Sequence, residues 1–307
     1  MRILKLKGLI AAAFTPFAEN GEVNYGMIPK MADSLSADSI TGVYVCGSTG
    51  EGISCSVEER IQLMKAWSKA AKGRLTLIAH TGALSLKDIS VLNRKAVELE
   101  YDAFSVIPPT FFKPGNVREL RNFAERVSYL GHSQVTAEAA PELPFYYYHT
   151  MKSGVEIPMR DFLEYADGRI PNLAGVKFNH HNLHDFQNAL HACGGKYDVV
   201  FGVDEFFAGA LALRTKAFIG STYNYSPCLY HRIWKAFEAG DWKTVEEDMR
   251  RVCLGVDLLI RNGGISAGKA MMLLKGIDCG KARLPLKQLS PEERKAISEA
   301  MKRLLEK

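Results

Sequence analysis

The chain has 307 residues, 47% of them apolar and 24% charged. This is an ordinary globular composition, which excludes disordered, collagen-like and low-complexity classes for its bulk. Lysine and arginine exceed aspartate and glutamate by 39 − 34 = 5, with no basic run of the kind that binds nucleic acid, so the charge reads as a solubility feature or a mild pull on anionic substrates. In chain order, the first apolar stretch, Gly8 to Phe17, is about half the roughly 20 residues of a membrane helix. It runs into Thr15-Pro16-Phe17 without a small-residue cleavage site, so it predicts neither a membrane span nor a secretory leader, despite Arg2, Lys5 and Lys7 before it. Strand candidates follow at Leu9–Ala13, Gly42–Cys46, Leu75–Ala79, Ala103–Ile107, Pro144–Tyr148, Gly175–Phe178, Val199–Phe201 and Ala217–Gly220. Most are continuous apolar or aromatic runs, as expected of strands covered on both faces.

Helical stretches such as Val57–Ala71, Leu86–Leu99 and Val117–Leu130 lie between them, the first opened by a capping-box pattern from Ser56 to Glu59. Eight alternating strand–helix units predict a parallel (β/α)8 barrel. After residue 227 the strand pattern stops, and Tyr230–Ala239, Thr244–Arg261, Ile265–Leu274 and Pro291–Leu305 read as helices. The expected organisation is therefore a barrel over 1–227 and a helical extension over 228–307 packed on it. Cys46, Cys55, Cys193, Cys228, Cys253 and Cys279 show no CxxC and no paired spacing, which suits a reducing, cytoplasmic compartment better than a disulfide frame.

Six features bear on chemistry. Gly42 to Glu51 reads as a strand entering the Gly-rich turn Gly47-Ser48-Thr49-Gly50-Glu51, where two hydroxyls and free backbone N–H groups make a cradle for a carboxylate or phosphate; it is equally a plain βα turn. Lys177 stands in Leu173-Ala-Gly-Val-Lys-Phe178, within a core strand. Lysine is among the residues least often buried, and a buried amine is deprotonated more easily and can form a Schiff base with a ketone; the alternative is a strand-end lysine reaching solvent. In Pro144-Phe-Tyr-Tyr-Tyr-His149, alternation sends Tyr146 and Tyr148 to one face, either as core or with a hydroxyl placed to carry a proton. Gly202-Val203-Asp204-Glu205 puts paired carboxylates after a strand, as acid/base groups, metal ligands, polyol acceptors or a charged helix start. His180, His181, His184 and His191 with Asp185 and Cys193 suggest a metal, with His180 and His184 on one face if helical, but match no zinc spacing and read better as a solvated helix face. The segment Gly263-Gly-Ile-Ser-Ala-Gly-Lys-Ala270 nearly spells a phosphate-binding loop, but Ala270 stands where a hydroxyl is required and a helix precedes it, so nucleotide binding is not expected.

The GSTGE turn, Tyr148 and Lys177 fall in the order and approximate spacing of the dihydrodipicolinate synthase/N-acetylneuraminate lyase family. The chain resembles that family from Phe14-Thr15-Pro16 to its last helices. The resemblance implies a barrel with a helical extension, class I aldolase chemistry on pyruvate and a homotetramer. Ser153, five residues after Tyr148, replaces the arginine of the synthases, with Lys152 beside it. Gly202–Glu205 looks like the lyases' segment after the seventh strand, and Phe218-Ile-Gly-Ser-Thr-Tyr-Asn224 like their eighth-strand end. Two departures are Asn179 in place of Ser or Thr, and Phe111 and Phe112 in place of a relay tyrosine.

The lyase branch implies reversible cleavage of sialic acid to pyruvate and N-acetylmannosamine. By that resemblance Lys177, Tyr148 and Ser48 would carry the chemistry. Ser48 and Thr49 would hold the carboxylate, and Asn179, Gly202, Asp204, Glu205 and Ser221 the sugar tail, with no metal or organic cofactor. Open alternatives are another pyruvate-dependent aldolase (a 2-keto-3-deoxy sugar acid aldolase or a dihydrodipicolinate synthase), a metal-dependent aldolase, and a non-catalytic ligand-binding barrel.

Overall fold

A computed structural model describes residues 4–129 and 143–306. Among these, the strands are β1 (Gly8–Ala12), β2 (Gly42–Val45), β3 (Thr76–His80), β4 (Ala103–Val106), β5 (Phe145–Thr150), β6 (Leu173–Asn179), β7 (Asp198–Phe201) and β8 (Ala217–Gly220). Each pairs in parallel with the next, and β8 pairs with β1, so the sheet closes into a barrel. The helices are α1 (Ile28–Ala37), α2 (Val57–Ala71), α3 (Leu86–Glu98), α4 (Val117–Tyr129), α5 (Met159–Ala166), α6 (Leu183–His191), α7 (Phe207–Ala212), α8 (Pro227–Ala239), α9 (Trp242–Arg261), α10 (Ile265–Met271) and α11 (Pro291–Leu305). This is the (β/α)8 barrel expected, with α8 its last helix, followed by further helices: α9 packs on α8, and α10 on both α9 and α11. No helix among the described residues is long and apolar enough to cross a membrane.

The strands lack polar alternation because both of their faces are buried. Ile10, Tyr44, Ile78, Tyr146, Val200 and Ile219 fill the barrel interior. Leu9, Val43, Leu77, Phe104, Tyr147 and Phe218 face the helix layer. Local chemistry sets the helix ends. Ser56 and Glu59 form the expected capping box at α2, and Ser290 with Glu293 forms a second at α11. Several predicted boundaries shift by a few residues. The helix expected over Val117–Leu130 is described to Tyr129, and Leu130 lies outside the described residues. α10 stops at Met271, where a 3-10 turn runs to Lys275 before Gly276 at φ 64°. β5 and β6 run past their predicted ends, to Thr150 and Asn179, and so carry their polar residues toward the barrel mouth.

One irregularity aims the key strand. Phe145 pairs with Leu173 but Tyr146 pairs with Gly175, so β6 holds an extra residue, Ala174. Ala174 faces the interior, and so does Lys177, three residues on, which strict two-residue alternation forbids. The bulge absorbs the odd residue and turns the Lys177 side chain inward.

Candidate active site

The carboxyl ends of the strands converge on a cavity of about 270 Å³, where barrels of this architecture carry their sites. Lys177 and Tyr148 are direct register partners across β6 and β5. The Lys177 amine is buried, 3.6 Å from the Tyr148 ring centroid and 4.8 Å from that of Tyr44. Lys177 is 4% exposed, and burial lowers its ammonium below the ordinary lysine range against the opposing pull of Tyr148. Burial pushes the Tyr148 phenol up. The Lys177 charge, with hydrogen bonds to Lys177 and Ser48, outweighs burial, and the net direction is down. The two shifts run in the directions that favour sharing a proton between the pair.

Two residues that sequence reasoning did not single out complete this interior. The Tyr44 hydroxyl bonds to Ser105 at 3.0 Å, and its ring stands edge-on to Tyr148. His80, fully buried on β3, bonds through Nδ1 to the Cys46 carbonyl at 3.1 Å and stands edge-on to Tyr148 at 5.9 Å. Burial, then the charges of Arg60 and Lys177, hold its imidazole well below the usual histidine range, so it is neutral. Arg60, on α2, spends its guanidinium on the carbonyls of His80 and Gly82 at 2.7 and 2.9 Å. The inward parity of Tyr44 and His80 on their strands was the signal available.

The Gly-rich turn sits at the end of β2. Ser48 and Thr49 line the cavity. The turn is closed by Glu51 N–H donating to the Ser48 carbonyl and Gly52 N–H to the Gly47 carbonyl, both at 3.1 Å. Gly52 is obligatory, since a Cβ there would lie 1.8 Å from the Cys46 carbonyl oxygen. Asn179, Gly202, Asp204, Glu205 and Ser221 line the same cavity, so every site residue expected from the sequence is brought to one place. Asp204 is buried and accepts from Thr222 N–H at 3.1 Å and from its hydroxyl at 2.7 Å, joining the β7 and β8 ends. Burial pushes its carboxyl up to about 6. Glu205 is more open and pairs with His181 at 3.4 Å.

The histidine cluster is redistributed. His181 and Lys152 line the cavity beside Lys177. His180 precedes α6 rather than lying on it, and its Nδ1 accepts from Asn182 N–H at 3.0 Å, so it shares no helix face with His184. His149, His180, His184 and Asp185 border a separate cleft of about 510 Å³ outside the barrel wall, beside α5 and α6. No group of three or more histidine, cysteine or acidic side chains able to hold a metal occurs among the described residues. Ser153 is buried, donates to the Thr150 carbonyl at 2.7 Å and does not line the cavity. Phe111 and Phe112 are exposed on the loop after β4.

A parallel barrel that presents a buried, ring-flanked lysine at its carboxyl mouth, next to a hydroxyl-lined anion cradle, has the build of a Schiff-base-forming class I aldolase. Comparison with known proteins narrows this class. Residues 5–304 match the dihydrodipicolinate synthetase family, and the chain belongs to that family. It is 37% identical over 294 residues to an N-acetylneuraminate lyase of Rattus norvegicus, covering 94% of this chain and 89% of that one. Among solved structures it resembles N-acetylneuraminate lyases of Proteus mirabilis (44% identity, TM-score 0.93, covering 98% of this chain and 99% of that one) and Aliivibrio salmonicida (45% identity, TM-score 0.93, covering 98% of each).

Proposed function

We propose that the chain is an N-acetylneuraminate lyase, cleaving sialic acid reversibly to pyruvate and N-acetylmannosamine through an imine on Lys177. The observation that carries this reading is the Lys177 amine, buried and lowered in pKa, set against Tyr148 in the same cavity as Ser48, Thr49, Asp204 and Glu205. The amine adds to the C2 ketone of the open-chain sugar acid, and loss of water leaves a protonated imine, which is an electron sink. The proton shared by Lys177 and Tyr148 stays on the imine nitrogen, so Tyr148, as the phenolate oriented by Ser48, takes the C4 hydroxyl proton. The C3–C4 bond breaks, C4 leaves as the aldehyde of N-acetylmannosamine, and its electron pair passes to the enamine. Protonation at C3 and hydrolysis of the imine release pyruvate and restore the amine. Ser48 and Thr49 hold the carboxylate. Asn179, Gly202, Asp204, Glu205 and Ser221 grip the polyol tail, and the chemistry calls on no metal or organic cofactor.

Ser153 supports the lyase over the synthase reading, because its hydroxyl is committed to Thr150 away from the cavity. Asn179 favours a second reading in one respect: its amide reaches differently from the Ser or Thr of the lyases, so a related 2-keto-3-deoxy sugar acid is the alternative substrate. We read residues 228–307 as a helical extension of a 1–227 barrel. The exposed Phe111 and Phe112 support assembly, which we place at a homotetramer, and the free cysteines support the cytoplasm. Borohydride trapping with pyruvate, read by mass spectrometry, should put the adduct on Lys177. Product assays should show turnover of N-acetylneuraminate; turnover only of pyruvate with aspartate semialdehyde would overturn the lyase reading.

A further inference from the structure

The Gly-rich segment Gly263–Ala270 found no role as a phosphate loop, and the structure shows what it builds instead. It is the start of α10, packed against the back of the barrel mouth. Gly268 lies so close to Phe14 that a Cβ would stand 2.4 Å from the ring, and Phe14 itself lines the cavity. The next residue, Lys269, has a fully buried side chain whose amine is 2.6 Å from Glu51 Oε1, with a side-chain exposure of 0% against 1% for Glu51. The amine also donates to the Lys281 carbonyl at 3.1 Å and lies 4.0 Å from the Phe17 ring centroid. The other Glu51 oxygen accepts from Arg283 N–H at 2.7 Å. Both carboxylate oxygens of the last residue of the GSTGE turn are thus engaged by the chain after α9.

The backbone shows what this hold does. Glu51 has φ 54° and ψ 29°, in the left-handed region that a side-chain-bearing residue adopts at a cost. Its N–H caps the Ser48 carbonyl, so the position of Glu51 sets the turn that carries the two cavity hydroxyls. The charge is also awkward, because a buried carboxylate two residues beyond Thr49 would repel an anion in the cradle. Lys269 cancels it.

We propose that Lys269 is a positioning residue for the carboxylate cradle: through its ion pair with Glu51 it holds the Ser48–Thr49 turn and neutralises the negative charge behind it. The inference rests on the imine reading given above and deepens it. Lys269 touches no substrate, and its effect is confined to the anionic end of the ligand.

The test compares two ketones trapped by borohydride on Lys177: pyruvate, and pyruvamide, whose neutral amide replaces the carboxylate. The chains are wild type, Lys269→Met, and the double variant Glu51→Gln with Lys269→Met, which removes both charges and keeps the volume. Half-saturating pyruvate should rise most in Lys269→Met, where the Glu51 charge is left uncompensated. It should rise about tenfold in the double variant, where only the tether is lost, while pyruvamide moves less than twofold in either. The double variant decides if the single one does not fold. Unchanged pyruvate saturation, an equal shift for both ketones, or a double variant that does not fold would each reduce the pair to a structural contact and overturn the proposal. A wild-type chain that traps neither ketone on Lys177 refutes the imine reading itself, and is told apart because it needs no variant.

Discussion

Two lysines are buried among the described residues, and they have opposite surroundings. Lys177 stands inside the barrel between the rings of Tyr44 and Tyr148 and forms no ion pair among the described residues. Lys269 stands behind the barrel mouth with a carboxylate at 2.6 Å. Burial drags both ammonium groups below the ordinary lysine range, but at Lys269 the Glu51 charge is the leading opposing influence, and at Lys177 it is the Tyr148 oxygen. The lesson is that burial alone does not make a lysine reactive. A buried amine given a carboxylate is held as a charged fastener, whereas one whose main polar partner is a phenol can pass its proton to that partner.

Substitution should separate the two roles. The largest effect is expected at Lys177: Lys177→Met should abolish pyruvate trapping and lower turnover by at least about 10⁴-fold, the scale of losing a covalent nucleophile. Its thermal midpoint should rise rather than fall, since a buried polar group is removed. Next, Tyr148→Phe keeps the ring against the amine but removes the proton carrier. It should cost about 10²–10⁴-fold in kcat while leaving trapping of pyruvate intact, as single-turnover assays would show. Lys269→Met should behave in the reverse sense to Lys177→Met, lowering stability by about 3–5 kcal/mol because Glu51 stays buried and unpaired. Denaturant unfolding would measure this, and the added Glu51→Gln change should recover most of the loss.

The smallest effect concerns pH. The Asp204 carboxyl is pushed up to about 6, above its unfolded value of about 4. The folded chain therefore holds that proton more tightly, and the stability it contributes is full below about pH 4 and lost as pH rises through about 6. Under the proposed role of Asp204 in holding the sugar tail, activity should run the other way, since an ionised carboxylate accepts more hydrogen bonds than a protonated one. Below pH about 6, kcat/KM for the full sugar acid should fall more steeply than the rate of pyruvate trapping.

The barrel was legible because its strands are continuous apolar runs and its helices start at explicit caps. The predicted Val57–Ala71 and Pro291–Leu305 helices are those of the structure. The site was legible where chemistry conflicted with context: a lysine in a core strand, paired acids after a strand, adjacent hydroxyls in a Gly-rich turn. Tyr44 and His80 escaped notice because aromatic residues on core strands ordinarily only fill space. His180 and His184 fell on opposite sides of a helix start, a boundary that spacing alone does not reveal. Lys269 resembled a phosphate-loop lysine because both need glycines nearby, there for an anion and here for close packing on Phe14. Its real partner, Glu51, lies at the far end of the chain, and no local pattern links the two.

The direct register of Tyr148 and Lys177 on adjacent strands has a consequence for variation. The spacing of the proposed nucleophile and proton carrier is set by a hydrogen-bonded ladder, about 4.8 Å between strands, rather than by a loop. The residues proposed to hold the sugar tail sit at strand ends and in loops, where insertions and exchanges are tolerated. Reactivity and selectivity are thus separately adjustable in this chain. Exchanging the segments after β7 and β8 offers a route to new sugar acids that leaves the carbon–carbon bond chemistry in place.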